Sequence, residues 1–265
     1  FQHTPLENKA PTVRLIQILP DLAPSGHVQC IIHHTLINDR PYDCLSYEWG
    51  AEQSGGHIFL NGRLMAVREN LLAFLSEAAQ SYHSINLWID ALCINQEDEV
   101  ERSYQVRQMG VIYTNARQVL VWLGSDARTS SILSALSKPS AEREESGRLQ
   151  EHEDMIYLGQ NSYWSRAWIT QEVSLAKSLL LMAKGAAVDE LKLPYSARFR
   201  MTHFGGTRQK DPQEENLLAL LHKFRSQKCH VKRDTVYSLL ALCRDGPNVK
   251  VDYTTSDSGV MQSIL

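Results

Sequence analysis

The chain has 265 residues, of which 43% are hydrophobic and 22% charged, and its formal net charge is -3. That is enough apolar material for one large domain or two small ones. The near-balanced charge, with no face-forming run of Lys and Arg, argues against a nucleic-acid footprint, and no apolar run reaches the roughly 18 residues of a membrane span.

The five cysteines, Cys30, Cys44, Cys93, Cys229 and Cys243, are odd in number and scattered, with no C-x-x-C. They indicate neither a disulfide framework nor a zinc site, and reduced thiols point to a cytoplasmic protein. The chain opens on Phe1 without a signal-like segment and closes on GVMQSIL, which reads as an interrupted amphipathic helix. Both ends suggest an excised domain whose natural chain continues.

In chain order, residues 1–11 are polar with two prolines and read as a flexible tail. Residues 12–19 alternate apolar and polar side chains and predict a half-buried strand, with further strands at 27–34 and 43–49. Asn61-Gly62, between 57–60 and 63–67, is a strong hairpin signal, because a type I′ turn needs positive φ at both positions. A helix is expected over 70–79, where Leu71, Leu72, Phe74 and Leu75 are apolar.

The run 86–94, NLWIDALCI, is nearly all apolar and reads as a strand buried on both faces. Acidic residues at 97–101 open a helix to about 115, in keeping with the helix dipole, and 118–123 (QVLVWL) is the next strand. Strand, helix and strand over 87–123 make a βαβ unit. A polar insertion of about 125–155 carries one helix candidate near 131–136. A helix at 165–176, a strand at 179–182, a polar loop at 205–215, helices at 217–225 and 234–242 and an extended piece at 249–253 complete the order. No internal repeat interrupts a single domain over 12–265, and the pattern indicates an α/β class with a mixed sheet.

Several residues stand out against this frame. Asp90 is a lone carboxylate in an apolar run, which costs several kcal/mol unless it is paired or faces a crevice. Cys93 has no identifiable base and reads as a core thiol. Asn95 is most simply an N-cap, and Asn95 and Gln96 also occupy a loop position open to a ligand. Tyr47, Glu48, Trp49 and Gly50 end a strand, where aromatic and acidic groups suit a binding crevice or an aromatic corner. Gly55-Gly56 lacks the context of a phosphate loop. His33 and His34 alternate across a strand and cannot share a metal, so no metal site is expected.

The segment NSYWSRAWITQE is the densest cluster. On a helix capped by Ser165, Trp168 and Glu172 share a face, with Cβ atoms roughly 5–6 Å apart. An indole beside a carboxylate can hold a flat ring and stabilise developing positive charge. The structural alternative is a core indole, with Glu172 paired to Arg166 or Lys177.

The blocks YDCLSYEWG, LWIDALCINQ, ERSYQVRQM, VLVWLG, SRAWITQE and RDTVYSLL, together with the NG hairpin, resemble the fungal heterokaryon incompatibility (HET) domain over about 13–253. The resemblance implies a cytosolic module of fungal non-self recognition whose activation kills cells. It also implies distant kinship with Toll/interleukin-1 receptor (TIR) domains: a flavodoxin-like, mostly parallel sheet flanked by helices, with an added N-terminal strand and hairpin region and C-terminal helices. Some TIR proteins cleave NAD with one glutamate in a motif similar to S-x-W-C-x-x-E. Here Ser165, Trp168 and Glu172 resemble that motif, with the serine one residue further from the tryptophan and Ile169 in place of cysteine.

By that resemblance Glu172 is the expected catalytic carboxylate and NAD the substrate, with no tightly bound cofactor. Trp168 or Trp49 would stack on a ring, Arg166 would meet the pyrophosphate, and Asp90 and Asn95 would contact ribose hydroxyls. Tyr47, Glu48, Gly50 and Gln96 complete the expected crevice. A homo-oligomer on activation and an upstream recognition protein are the implied partners. The alternative is a non-catalytic module that kills by self-assembly and recruitment, since fold kinship alone does not transfer chemistry.

Overall fold

A computed structural model of the protein describes residues 1–6, 11–52, 55–138, 147–193, 215–256 and 260. The strands are β1 (Thr12–Ile18), β2 (Gln29–Leu36), β3 (Asp43–Tyr47), β4 (Gly55–Leu60), β5 (Arg63–Arg68), β6 (Leu87–Trp88), β7 (Val119–Trp122), β8 (Leu179–Ala183) and β9 (Ala186–Asp189). The helices are α1 (Glu69–Ser81), α2 (Asp90–Cys93), α3 (Glu99–Asn115), α4 (Ala127–Ser137), α5 (Gly147–Gly159), α6 (Ile169–Ser174), α7 (Leu217–Lys223) and α8 (Asp234–Tyr237).

Among the described residues the strands form one sheet in the order β5-β4-β2-β1-β6-β3-β7-β8-β9. The sheet is mixed, as its alternating patterns indicate, and not mostly parallel. Parallel pairing runs through β6, β3, β7 and β8 and joins β2 to β4, whereas β1 runs antiparallel to β2 and β6, β4 to β5, and β8 to β9. The β4–β5 and β8–β9 pairs follow from two-residue turns, which cannot link parallel strands. At the Asn61-Gly62 turn φ is 49° and 72°, and Leu60 pairs with Arg63, as a type I′ hairpin requires.

Every residue of β3 and β7 is buried, so helices cover both faces of the parallel centre. The chain leaves β3 for β6 on one side and returns, through α3, to β7 on the other. The carboxyl end of β3 is therefore a topological switch point, where open α/β sheets form their ligand crevices.

Four expectations change here. The apolar run 86–94 is a strand only at Leu87–Trp88. It then turns into α2, with Cys93 N–H bonded to the Ile89 carbonyl at 2.8 Å and Ile94 N–H to Asp90 at 3.1 Å. A fully buried run reads alike as strand or helical turn, because periodicity vanishes when every face is covered. The helix expected over 165–176 begins only at Ile169, after a 3-10 turn at Ser162–Ser165, and Arg166 is extended.

Within the polar stretch of about 125–155, α4 spans Ala127–Ser137 and its buried Ile132, Leu133 and Leu136 face β8 and β9. Residues 1–6 are not a free tail: Leu6 is buried, His3 Nε2 meets the Leu92 carbonyl at 2.8 Å, and the Thr4 carbonyl accepts from Arg14 at 2.6 Å. The loop expected at 205–215 lies outside the described residues except for its last position, as does most of the C-terminal GVMQSIL.

The main core fills both sides of the sheet, and a smaller cluster gathers Leu217, Leu220, Phe224, Val236, Tyr237 and Leu242. Val106, Trp168 and Leu175 pack against both. At Gly110 an added Cβ would lie 2.5 Å from Ala241 Cβ, so α3 and the C-terminal cluster meet backbone to methyl. None of the described helices is long and apolar enough to cross a membrane.

Candidate functional site

The crevice at the switch point has a volume of about 720 Å³, within the usual range for small-molecule sites. Its first wall follows β3 and includes Glu48, Trp49 and Gly50, with Arg68 from the end of β5. Asp90 and Gln96 line its β6 side, α3 adds Arg102 and Val106, and Arg166 and Trp168 come from the turn before α6. Lys228, His230, Asp234 and Tyr253 close the far wall.

Local hydrogen bonds hold the first wall. Trp49 Nε1–H donates to Asp90 Oδ2 at 2.9 Å, joining the ends of β3 and β6. The Arg68 guanidinium lies 5.0 Å from the Trp49 ring centroid and donates to the Gly50 carbonyl and to Glu52, each at 3.0 Å. Asn70 donates to the Glu48 carbonyl at 2.6 Å and accepts from Trp122 Nε1 at 2.9 Å. The Glu48 carboxylate accepts from the Ser162 hydroxyl, which ties the first wall to the turn before α6.

Asp90 begins α2, where its Oδ1 accepts the Ala91 amide at 2.8 Å. Burial, with the Glu172 charge acting in the same direction, raises its pKa to about 6, against the opposing pull of Arg166, the Ala91 amide and the Trp49 indole. Gln96 Nε2 donates back to the Asp90 carbonyl at 3.1 Å and braces the turn.

Glu172 is 2% exposed and does not line the crevice. The Ser46 hydroxyl donates to its Oε2, so the single hydroxyl proton is committed there, and Tyr163 O–H donates to Ser46 Oγ at 2.6 Å. Arg166 Nη1 reaches the same Glu172 oxygen at 3.4 Å while its guanidinium lines the crevice. Arg166 thus connects the crevice to a carboxylate one side chain behind its wall. Burial works against the Arg166 charge, yet Glu172, Tyr163 and Asp90 together raise its pKa above the ordinary value.

Trp168 and Glu172 take different partners. Trp168 is the N-cap residue of α6 and sends its indole N–H to Asp234 Oδ2 at 3.2 Å, toward the C-terminal cluster. Ser165 is not the helix cap: its hydroxyl donates to the Ser162 carbonyl, and Arg166 pairs instead with Lys228 in a short β-bridge. Burial raises the Asp234 pKa, although Tyr253 O–H at 2.6 Å and the Trp168 indole favour its charge.

Of the residues picked from the sequence, Glu48, Trp49, Gly50, Asp90, Gln96, Arg166 and Trp168 meet in one crevice. Tyr47 is buried in the core beneath it, and Asn95 sits outside. Nor does Asn95 cap α3; Asp98 does, accepting the Val100 and Glu101 amides. The Asn95 amide is taken by Glu101 Oε1 at 2.7 Å.

Arg68, Arg102, Lys228, Asp234 and Tyr253 were not picked out. Arg102 and Asp234 lie in blocks that carry the resemblance, the only signal that pointed to them. Lys228 belongs to a basic stretch, 223–233, that reads equally well as a solvated helix end.

A parallel α/β centre opened at its switch point by an aromatic, charged crevice defines an α/β domain with a preformed ligand-sized site. Residues 42–172, about half of the chain, match the family model described as "Heterokaryon incompatibility protein (HET)". A relative named "Heterokaryon incompatibility protein 6, OR allele", from Neurospora crassa, is 32% identical over 157 residues, 54% of this chain. The chain covers 23% of that relative's length. No solved structure matches.

Proposed function

We propose that this domain is a cytoplasmic, cell-death-inducing effector of fungal non-self recognition that cleaves the nicotinamide–ribosyl bond of NAD. The match of residues 42–172 to the HET family model and the name of the Neurospora relative support the biological half of that reading. The chemical half rests on one observation: Trp49, Asp90, Arg166 and Trp168 converge on a crevice with Glu172 directly behind Arg166. The parallel β6-β3-β7-β8 centre is compatible with distant TIR kinship, which adds weight without transferring chemistry.

Nicotinamide in NAD is cationic and departs as a neutral ring, so no general acid is needed. The bond to ribose C1′ breaks with both electrons going to the ring nitrogen, and an oxocarbenium-like ribosyl centre remains. A fixed carboxylate stabilises that charge. Water then attacks C1′, giving ADP-ribose and releasing one proton, which Asp90, with its raised pKa, can accept. For Glu172 to face the ribose, Arg166 must swing off it, and the 3.4 Å contact is a long one.

A second reading has its own support. Glu172 is 2% exposed and tied to Ser46 and Arg166, which is also how a purely structural carboxylate is held. On that reading the domain kills by self-assembly and recruitment.

Nicotinamide release separates the two. The purified protein is incubated with NAD both free and tethered into oligomers, beside Glu172→Gln. Release that disappears in the variant supports cleavage. Silence in both states, with killing in cells retained by Glu172→Gln, overturns it.

A further inference from the structure

Four cationic side chains line the crevice, and two of them are already committed: Arg68 to the Gly50 carbonyl and Glu52, Arg166 to Glu172. The other two are not. The Arg102 guanidinium makes no hydrogen bond to any described residue, and its Nε is buried without a partner. Its Cζ lies over the Tyr253 ring, 3.9 Å from the centroid, a cation–π contact that leaves its N–H groups available to a ligand. Tyr253 is itself anchored, its N–H to Ser103 Oγ at 2.9 Å and its O–H to Asp234 at 2.6 Å.

Lys228 is placed by its backbone. Its N–H donates to the Ser165 carbonyl at 2.6 Å and its carbonyl accepts from Ala167 at 2.8 Å, while its ammonium, on an exposed residue at the crevice rim, has no partner among the described residues. Asp234, the carboxyl of this wall, spends its oxygens on Tyr253 and Trp168; the Arg102 charge favours its ionised form without a direct ion pair between them.

We infer that Arg102 and Lys228 form a diphosphate-binding site in the crevice they line with Trp49. Its ligand class is a nucleoside diphosphate or its esters. The site lies partly beyond residue 172, where the family match ends. A planar fork and a point charge on separate elements suit two linked phosphoryl groups better than one, and Trp49 and Trp168 offer faces for flat rings. The assignment moves phosphate binding from Arg166, where the motif resemblance puts it, to Arg102 and Lys228. It rests on reading the crevice as a nucleotide site but not on cleavage.

The test is calorimetric titration of ADP, AMP and adenosine into Glu172→Gln protein, which removes turnover. ADP is expected to bind most tightly of the three. Lys228→Met and Arg102→Gln should each weaken ADP about tenfold or more, as loss of a charged hydrogen-bond partner does, while adenosine binding is unchanged. Arg102→Lys keeps the charge without the fork and should fall between. Arg107→Gln, an exposed cation on the same helix, should bind ADP like the parent, and melting curves confirm that each variant is folded.

No ADP binding, ADP no tighter than adenosine, or unchanged affinity in both variants overturns the assignment. NAD cleavage with an unchanged KM in both variants also overturns it while leaving the enzymatic reading intact. ADP binding that depends on both cations, without any nicotinamide release, upholds it and removes the cleavage chemistry instead.

Discussion

Among the described residues two arginine–glutamate pairs have a buried carboxylate, and they are built differently. Arg14 meets Glu101 with a two-toothed fork, at 2.6 and 2.8 Å, and its terminal nitrogens also bond the Cys93 and Thr4 carbonyls. Glu101 in turn takes the Asn95 amide. Arg166 meets Glu172 through one nitrogen at 3.4 Å, with the arginine facing a crevice. The first pair closes the turn after β6 onto β1 and leaves nothing free to move. The second has slack at a solvent-reaching wall. Equal residue types therefore serve a fixed joint in one place and a releasable contact in the other.

The difference can be broken most visibly in stability. Arg14→Ala strands the buried Glu101 carboxylate and should cost roughly 3–5 kcal/mol in denaturant unfolding. Arg166→Ala, with Ser46 and crevice water left for Glu172, should cost only about 1–2 kcal/mol. Equal losses would mean that the two pairs do the same job. Glu172→Gln sharpens the contrast from the other side: nicotinamide release falls at least 100-fold, the scale of losing one preorganised charge-stabilising group, while unfolding changes by about 1 kcal/mol or less.

Asp90 adds a pH signature to the crevice. Its folded pKa of about 6 lies above the ordinary 3.8, so its contribution to stability is full below about pH 4 and is lost as pH rises through 6. Asp90→Asn should flatten that decline and, at pH 7–8, stabilise the protein by up to about 3 kcal/mol. A variant whose stability still falls between pH 4 and 6 as the parent's does would assign the decline to other groups. The smallest expected effect is Trp168→Phe. It removes one hydrogen bond to Asp234, costs about 1 kcal/mol, and should lower the melting temperature without changing the Arg14 region.

Much of the site was legible because motif density marks it. Tyr47 to Gly50, Asp90 and the 161–172 segment are where aromatic and charged residues interrupt apolar runs, and the sheet brings most of them together. The helix bearing Trp168 and Glu172 was misjudged because local i,i+4 logic presumes a helix from Ser165. The Lys228 bridge holds Arg166 extended instead, so the helix starts later; the i,i+4 bond from Glu172 N–H to the Trp168 carbonyl is kept at 3.1 Å, but the two side chains take different partners. Arg102 and Lys228 carry no local signal, because a lone cation in a sequence reads as a solvated one; only the fold places them at one crevice.

From its sequence alone, the chain specified the α/β class, the Asn61-Gly62 hairpin, the strands β3 and β7 and the helix α3. Each is set by period, turn chemistry or apolar content within about twenty residues. Only the tertiary structure decided that α2 is a turn and not a strand, that Glu172 lies behind Arg166 and not on the crevice surface, and that residues 228–253 complete the crevice. Those outcomes depend on partners 40 to 160 residues away, such as Ser46 for Glu172 and Ser103 for Tyr253. Local propensity carries no information about such distant partners, and the burial of polar groups makes the choice between them decisive.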